Sequence, residues 1–209
     1  MELSTWALFI PACFALNLAP GPNNLLSVHN AAAHGFAPAC LAGLGRLLAF
    51  ALMIGLAALG LAAVLQSSAR MLFWIKVAGA VYLFYLAVQL WRSDGGGAPG
   101  EGSVAGVSLW RLARQEFLVA AGNPKAILIF TAFLPQFVSS SASFMGRFLD
   151  LGLAFLLLEW VAIALYACLG ARLSRWLAGA AARCWFNRGC GALLAAAACV
   201  MLWGRRASN

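Results

Sequence analysis

From Trp6 to Val28 the chain carries no charged side chain, yet the middle of this run reads Leu18-Ala19-Pro20-Gly21-Pro22-Asn23-Asn24. Roughly 20 apolar residues cross a bilayer as a helix, so the run has the length of a membrane span. Its centre cannot be a regular helix. Each proline removes a backbone donor and clashes with the preceding turn, and the glycine between them lifts the steric limits on the backbone. Hydrocarbon offers no water to the freed N–H and C=O groups. Such a break persists only where protein packs over it or where it lines a wet cavity. Two readings follow: a packing kink in a membrane helix, or half of a substrate pathway.

Five further apolar runs of similar length follow, and the spacing places helices at residues 5–28, 39–65, 71–90, 116–137, 148–170 and 184–203. With 64% hydrophobic and 10% charged residues and a mean hydropathy of +0.88, the composition excludes a soluble globular domain. The expectation is an all-α integral membrane protein, a single transporter domain over residues 1–209. The net charge of +8 is spread over the connections between runs and forms no contiguous patch. It therefore reads as topology signals and lipid contacts rather than as a nucleic-acid surface. Glu2 is the only charge ahead of the first run, so that run reads as a retained helix rather than a secretory signal. Residues 93–108, rich in glycine, form the longest polar connection.

The arginines set an orientation. Arg92, Arg111 and Arg114 lie in the third connection and Arg172, Arg175, Arg183 and Arg188 in the fifth, against Arg70, Arg147, Arg205 and Arg206 on the opposite side. By the positive-inside rule both termini face outward. Six cysteines fall mostly inside apolar runs without a Cys-x-x-Cys pair, and read as small core residues rather than a redox or metal site. His29 and His34 have no partner at metal-ligand spacing, so no metal and no cofactor is expected. Nothing resembles a phosphate-cradling loop or a nucleophile elbow.

The run with the first break has a counterpart. At an offset of 102 residues Pro22 falls on Pro124, Arg70 on Arg172, and the first break on Ala121-Gly122-Asn123-Pro124-Lys125. Two halves, about 1–92 and 109–209, then hold three helices each, with the first and the fourth helix broken by proline. An odd number of spans per half turns the halves into opposite orientations, the inverted-repeat plan of secondary transporters, whose sites lie at the midplane between broken helices. The candidate pathway residues are therefore Pro20, Gly21, Pro22, Asn23, Asn24, Asn123, Pro124 and Lys125. Carboxamides and freed carbonyls can hold a zwitterion and Lys125 a carboxylate; alternatively Lys125 only snorkels to an interface.

Glu159 lies near the middle of the fifth run, where an acid costs a few kcal/mol and should face the bundle interior. Arg46, Lys125 and Lys76 are its candidate partners. Tyr166, seven residues on, falls on the same helix face. Glu159 reads either as a proton carrier or counter-charge for a substrate ammonium, or as half of a fixed ion pair. Arg46, early in the second run, either reaches the interior or snorkels. Trp74, Lys76, Trp91 and Arg92 read as interface anchors.

Four stretches together resemble the lysine exporter and homoserine/threonine resistance family of bacterial amino-acid exporters: Ala19 to Asn23; Ile75 to Leu86; Asn123 to Ile127 with Phe133 to Val138; and Trp185 to Arg188 with Gly191 to Leu194. They run in family order over almost the whole chain. The resemblance implies a six-helix inner-membrane exporter of amino acids or close derivatives, driven by the proton gradient or the membrane potential and acting as a homodimer. It also places Glu159 where some members carry an acid. The second helix departs from the family, which often has two glycines and a histidine there; here Arg46, Ala49 and Met53 occupy the stretch. An arginine beside the cavity would favour a substrate with a further carboxylate. The competing classes are a membrane redox carrier, which would need a cysteine in the first helix of each half where only Cys13 is present, and a membrane subunit without coupled transport.

Overall fold

A computed structural model describes residues 3–59, 69–92, 108–138, 144–174 and 179–203. Among these residues there are eight α-helices and no strand. In chain order they are α1 (Leu3–Leu18), α2 (Pro22–His34), α3 (Phe36–Ala58), α4 (Ala69–Trp91), α5 (Leu109–Ala121), α6 (Pro124–Leu128), α7 (Phe144–Ser174) and α8 (Ala180–Trp203). The chain beyond α6 continues through a π turn, Ile129–Phe133, and a 3-10 turn, Leu134–Phe137.

The first expected helix is two helices, α1 and α2, bent by 61° at the Pro-Gly-Pro break, and the fourth is likewise split, with a 55° bend between Leu109–Ala121 and Pro124–Phe137. Two single helices, Phe36–Ala58 and Met145–Ser174, are long and apolar enough to cross a membrane; counting each bent pair as one span gives four among the described residues. Several boundaries differ from the sequence expectation. The α2–α3 connection is a single residue, Gly35, rather than the stretch 29–38 left between the expected helices. Its φ of +90° suits only glycine, and its N–H still bonds the Ala31 carbonyl at 2.9 Å. Pro38 then sits in the first turn of α3, where a missing N–H is harmless. The fourth segment begins seven residues before Glu116, because Ser108 caps α5 by accepting from the Arg111 N–H.

Burial explains why such a sequence suits lipid. On α3, Leu41, Leu44, Leu48, Leu52 and Leu56 are exposed, while Ala42, Gly45, Arg46 and Ala49 are buried. On α7, Leu149, Leu153, Leu157, Val161, Leu165 and Leu169 repeat the pattern at four-residue spacing. Leucine stripes face outward and small or polar residues face inward, as membrane bundles arrange them. In water such stripes would be an unusually large apolar surface.

The small inward residues let backbones touch. A Cβ on Gly45 would run into the backbone of Ala113, so α3 and α5 lie in direct backbone contact; Gly79 of α4 meets Gly122 at the second break in the same way. An extensive interface joins α4 to α8, and others join α3 to α5 and α2 to α7. Phe50, Phe130 and Phe155 form one buried cluster with Phe9 and Leu134.

Candidate functional site

The break in the first span removes donors from the end of α1. The carbonyls of Asn17, Leu18 and Ala19 would bond the N–H groups of residues 21, 22 and 23, but residue 22 is proline and Gly21 is extended at φ −163°. Side chains supply donors instead. Asn24 Nδ2 donates to the Asn17 carbonyl at 2.9 Å and to the Ala19 carbonyl at 3.1 Å. Tyr166 donates its hydroxyl to the Leu18 carbonyl at 2.6 Å. Lys125 Nζ reaches the Ala19 carbonyl at 2.9 Å, a cation at the negative end of a helix dipole. Tyr166 thus serves the break and makes no bond to Glu159.

The second break is closed by Asn123. Its Oδ1 caps α6 by accepting from the Lys125 N–H at 3.0 Å, with Pro124 as the first helical residue. Its Nδ2 donates to Asn23 Oδ1 at 3.0 Å, and both residues are buried. One carboxamide therefore bridges the two breaks across a hundred residues of sequence.

Behind them lies a buried ion cluster. Arg46 is 0% exposed. Its Nε and Nη2 donate to Glu116 Oε2 at 3.0 and 2.8 Å, and Nη1 donates to Glu159 Oε1 at 2.9 Å. Nη1 also bonds Asn24 Oδ1, and Nη2 bonds the Asn23 carbonyl and Ser27 Oγ. Ser27 in turn donates to Glu116 Oε1 at 3.2 Å. Arg46, Lys125, Glu116 and Glu159 together sum to zero charge, and a buried charge is tolerated only when paired in this way.

The two acids are not equivalent. Glu116 is fully buried and takes two guanidinium bonds, whereas Glu159 takes one and lines a cavity with Lys125. Gly21, Asn23, Asn24 and Asn123 share that lining. Asn17 does too, and its Oδ1 is buried without a hydrogen-bond partner. Phe50, Ile129 and Phe155 add an apolar part to the lining. The cavity measures about 20 Å³, room for a water but not for an amino acid.

The candidate residues thus divide by role. Gly21, Asn23, Asn24, Asn123, Lys125 and Glu159 surround the cavity, Arg46 stands behind Glu159, and Pro20, Pro22 and Pro124 shape the backbone without lining it. Pro20 is exposed. Arg46 does not snorkel, and because each of its nitrogens is bonded to protein it offers nothing to a second substrate carboxylate. The Lys76 side chain lies outside the described residues.

Sequence reasoning missed Glu116, Ser27 and Asn17. The expected helix 116–137 begins at that acid, next to Arg111 and Arg114, and assigns it no role. The available signal was spacing: Glu116 is seven residues before Asn123, two helical turns from the break and on its face. The cysteines are unpaired thiols, with Cys13, Cys40 and Cys190 buried, and among the described residues no cluster of His, Cys, Asp or Glu could hold a metal.

The family model described as LysE type translocator matches residues 14–205. The chain belongs to this translocator family. A membrane protein of Vibrio cholerae is 29% identical over 94% of this chain and 99% of its own length. The homoserine/homoserine lactone efflux protein of Salmonella typhimurium is 28% identical over 86% of both chains. The leucine efflux protein of an Enterobacter species is 29% identical over 84% of this chain and 83% of its own. No solved structure matches significantly. This LysE-type chain is thus a multi-pass membrane translocator with amino-acid efflux proteins among its relatives.

Proposed function

We propose that this LysE-type translocator exports amino acids or close derivatives from the cytoplasm through the space between its two proline breaks. The observation that carries the reading is the Asn123–Asn23 bond of 3.0 Å, which brings two interrupted helices together around a cavity bordered by one cation, Lys125, and one anion, Glu159. Carboxamides, a lysine and a carboxylate on a shared cavity match the two charges of an amino-acid zwitterion. Two relatives are named for efflux of such compounds.

In this reading Gly21, Asn23, Asn24, Asn123 and Lys125 line the substrate pathway, with Pro20, Pro22 and Pro124 holding it open to side chains. Glu159 is the coupling or counter-charge group, Arg46 supports it directly, and Tyr166 contributes by holding the first break at the Leu18 carbonyl. Export draws on the proton gradient or the membrane potential. The chain works as six membrane helices in a 3+3 inverted repeat, with halves of about 1–92 and 109–209, as a homodimer in a bacterial inner membrane with both termini outside.

Efflux of labelled amino acids from loaded cells, with and without a protonophore, tests this. Substrate-dependent efflux above an empty-vector control, lost in Lys125→Met and Glu159→Gln at equal membrane abundance, is the expected result. No efflux for any amino acid refutes it.

A further inference from the structure

Three helices place a charged residue and an apolar one four positions apart, hence one turn apart on the same face. They are Arg46 and Phe50 on α3, Glu159 and Phe155 on α7, and Lys125 and Ile129 on the segment that begins with α6. The structure turns these pairs into two stacked layers. In one, Arg46 bonds Glu159 at 2.9 Å and Lys125 bonds the Ala19 carbonyl. In the other, about 6 Å along the helices, Phe50 and Phe155 stand with ring centroids 5.7 Å apart, and Phe130 closes the triangle at 5.4 and 4.9 Å. The cavity touches both layers: Glu159 and Lys125 line it, and so do Phe50, Ile129 and Phe155.

The polar layer has groups for one ammonium and one carboxylate and no more. Glu159 bonds Arg46 through Oε1, and Asn17 Oδ1, buried and unpartnered, is a second acceptor on the cavity wall. These two suit an ammonium. Lys125 and the carboxamides suit a carboxylate. Among the described lining residues Lys125 and Glu159 are the ionisable ones, so no third charge is available for a substrate side chain. Whatever extends from the zwitterion must enter the aromatic layer, where an unpaired charge is strongly disfavoured.

We infer that this site selects α-amino acids with uncharged, apolar side chains, and that Phe50, Phe130 and Phe155 form the side-chain pocket. The inference rests on the proposed amino-acid export and adds the substrate class. The rings pack against one another, and the side chain takes its place between them when the site opens. Glutamate is excluded because its terminal carboxylate would sit among the three rings without a partner, and lysine because the roughly 2 kcal/mol of cation–π attraction that phenyl rings offer does not offset the loss of hydration of its ammonium.

The test is counterflow of labelled amino acids in proteoliposomes holding the full chain, which needs no driving force. Leucine and phenylalanine should exchange at least about 10-fold faster than lysine or glutamate. Leucinamide, which lacks the carboxylate, and N-acetylleucine, which lacks the ammonium, should compete poorly against labelled leucine. Phe155→Ala should raise KM for leucine several-fold while leaving alanine within about twofold, as a pocket contact rather than a gate would. If that variant does not fold, Phe50→Leu makes the same comparison with smaller change in volume. Lysine or glutamate exchanging as fast as leucine overturns the inference while leaving amino-acid export standing, as does an equal effect of these variants on alanine and leucine. Absence of exchange for every amino acid overturns the proposed export itself, and this inference with it.

Discussion

Glu116→Gln is the most discriminating single change in this molecule. The carboxylate is fully buried and accepts from Arg46 Nε at 3.0 Å, Arg46 Nη2 at 2.8 Å and Ser27 Oγ at 3.2 Å, with Asn23 Nδ2 farther off at 3.4 Å. Glutamine keeps the shape and loses the charge. One amide oxygen can still accept, but its NH₂ group faces donors, and Arg46, fully buried, keeps only Glu159 as a charged partner. Breaking a buried pair by removing one partner costs about 3–5 kcal/mol. For a chain of this size that corresponds to a fall in Tm on the order of 10 °C. Glu159→Gln removes a single guanidinium bond of 2.9 Å from a group on the cavity wall, and should cost about 1.5–3 kcal/mol, the range for one hydrogen bond to a charged group. The order of the two variants is therefore fixed: Glu116→Gln is the less stable, Glu159→Gln the more impaired in transport relative to its stability. Thermal unfolding of the purified protein in detergent, beside counterflow at a temperature where both variants are folded, measures both. A Tm for Glu116→Gln within about 2 °C of the parent, or below-parent stability only in Glu159→Gln, would refute the assignment of Glu116 as the anchor of Arg46.

Two further outcomes follow from the packing. Asn23→Cys and Asn123→Cys, introduced together in a background without the native cysteines, should be joined by a short bis-methanethiosulfonate reagent, because the native side chains meet at 3.0 Å; failure to cross-link when each single cysteine is shown to react would separate the two breaks. Gly45→Leu should prevent α3 from seating on α5 at Ala113 and so displace Glu116 from Arg46, lowering Tm by at least as much as Glu116→Gln, whereas Gly55→Ala, at a position with open space around it, should leave Tm within about 2 °C.

Much of the membrane architecture was legible because lipid leaves few solutions. Long uncharged runs demand helices, and the two proline breaks announce themselves since backbone without donors must find them elsewhere. The pairing of the breaks followed from the offset between Pro22 and Pro124. Helix ends were less legible: a single glycine turned α2 into α3, and the start of α5 depended on the Ser108 cap rather than on hydropathy. The role of Arg46 stayed open in sequence because depth along a helix does not say which side chain waits on the facing helix.

The chain by itself thus determined that it crosses a membrane, that two spans are interrupted, and that Glu159 needs a partner, because each of these follows from local covalent chemistry and the lack of water in hydrocarbon. Only the tertiary structure decided which groups satisfy those needs. It took the backbone contact at Gly45 to bring α5 close enough for Glu116 to reach Arg46. It took the bend of α1 against α2 to turn three unbonded carbonyls toward Asn24, Tyr166 and Lys125. These partners lie from 5 to about 150 residues apart in sequence, and the long-range ones are joined by nothing but shape and charge matched across helix faces.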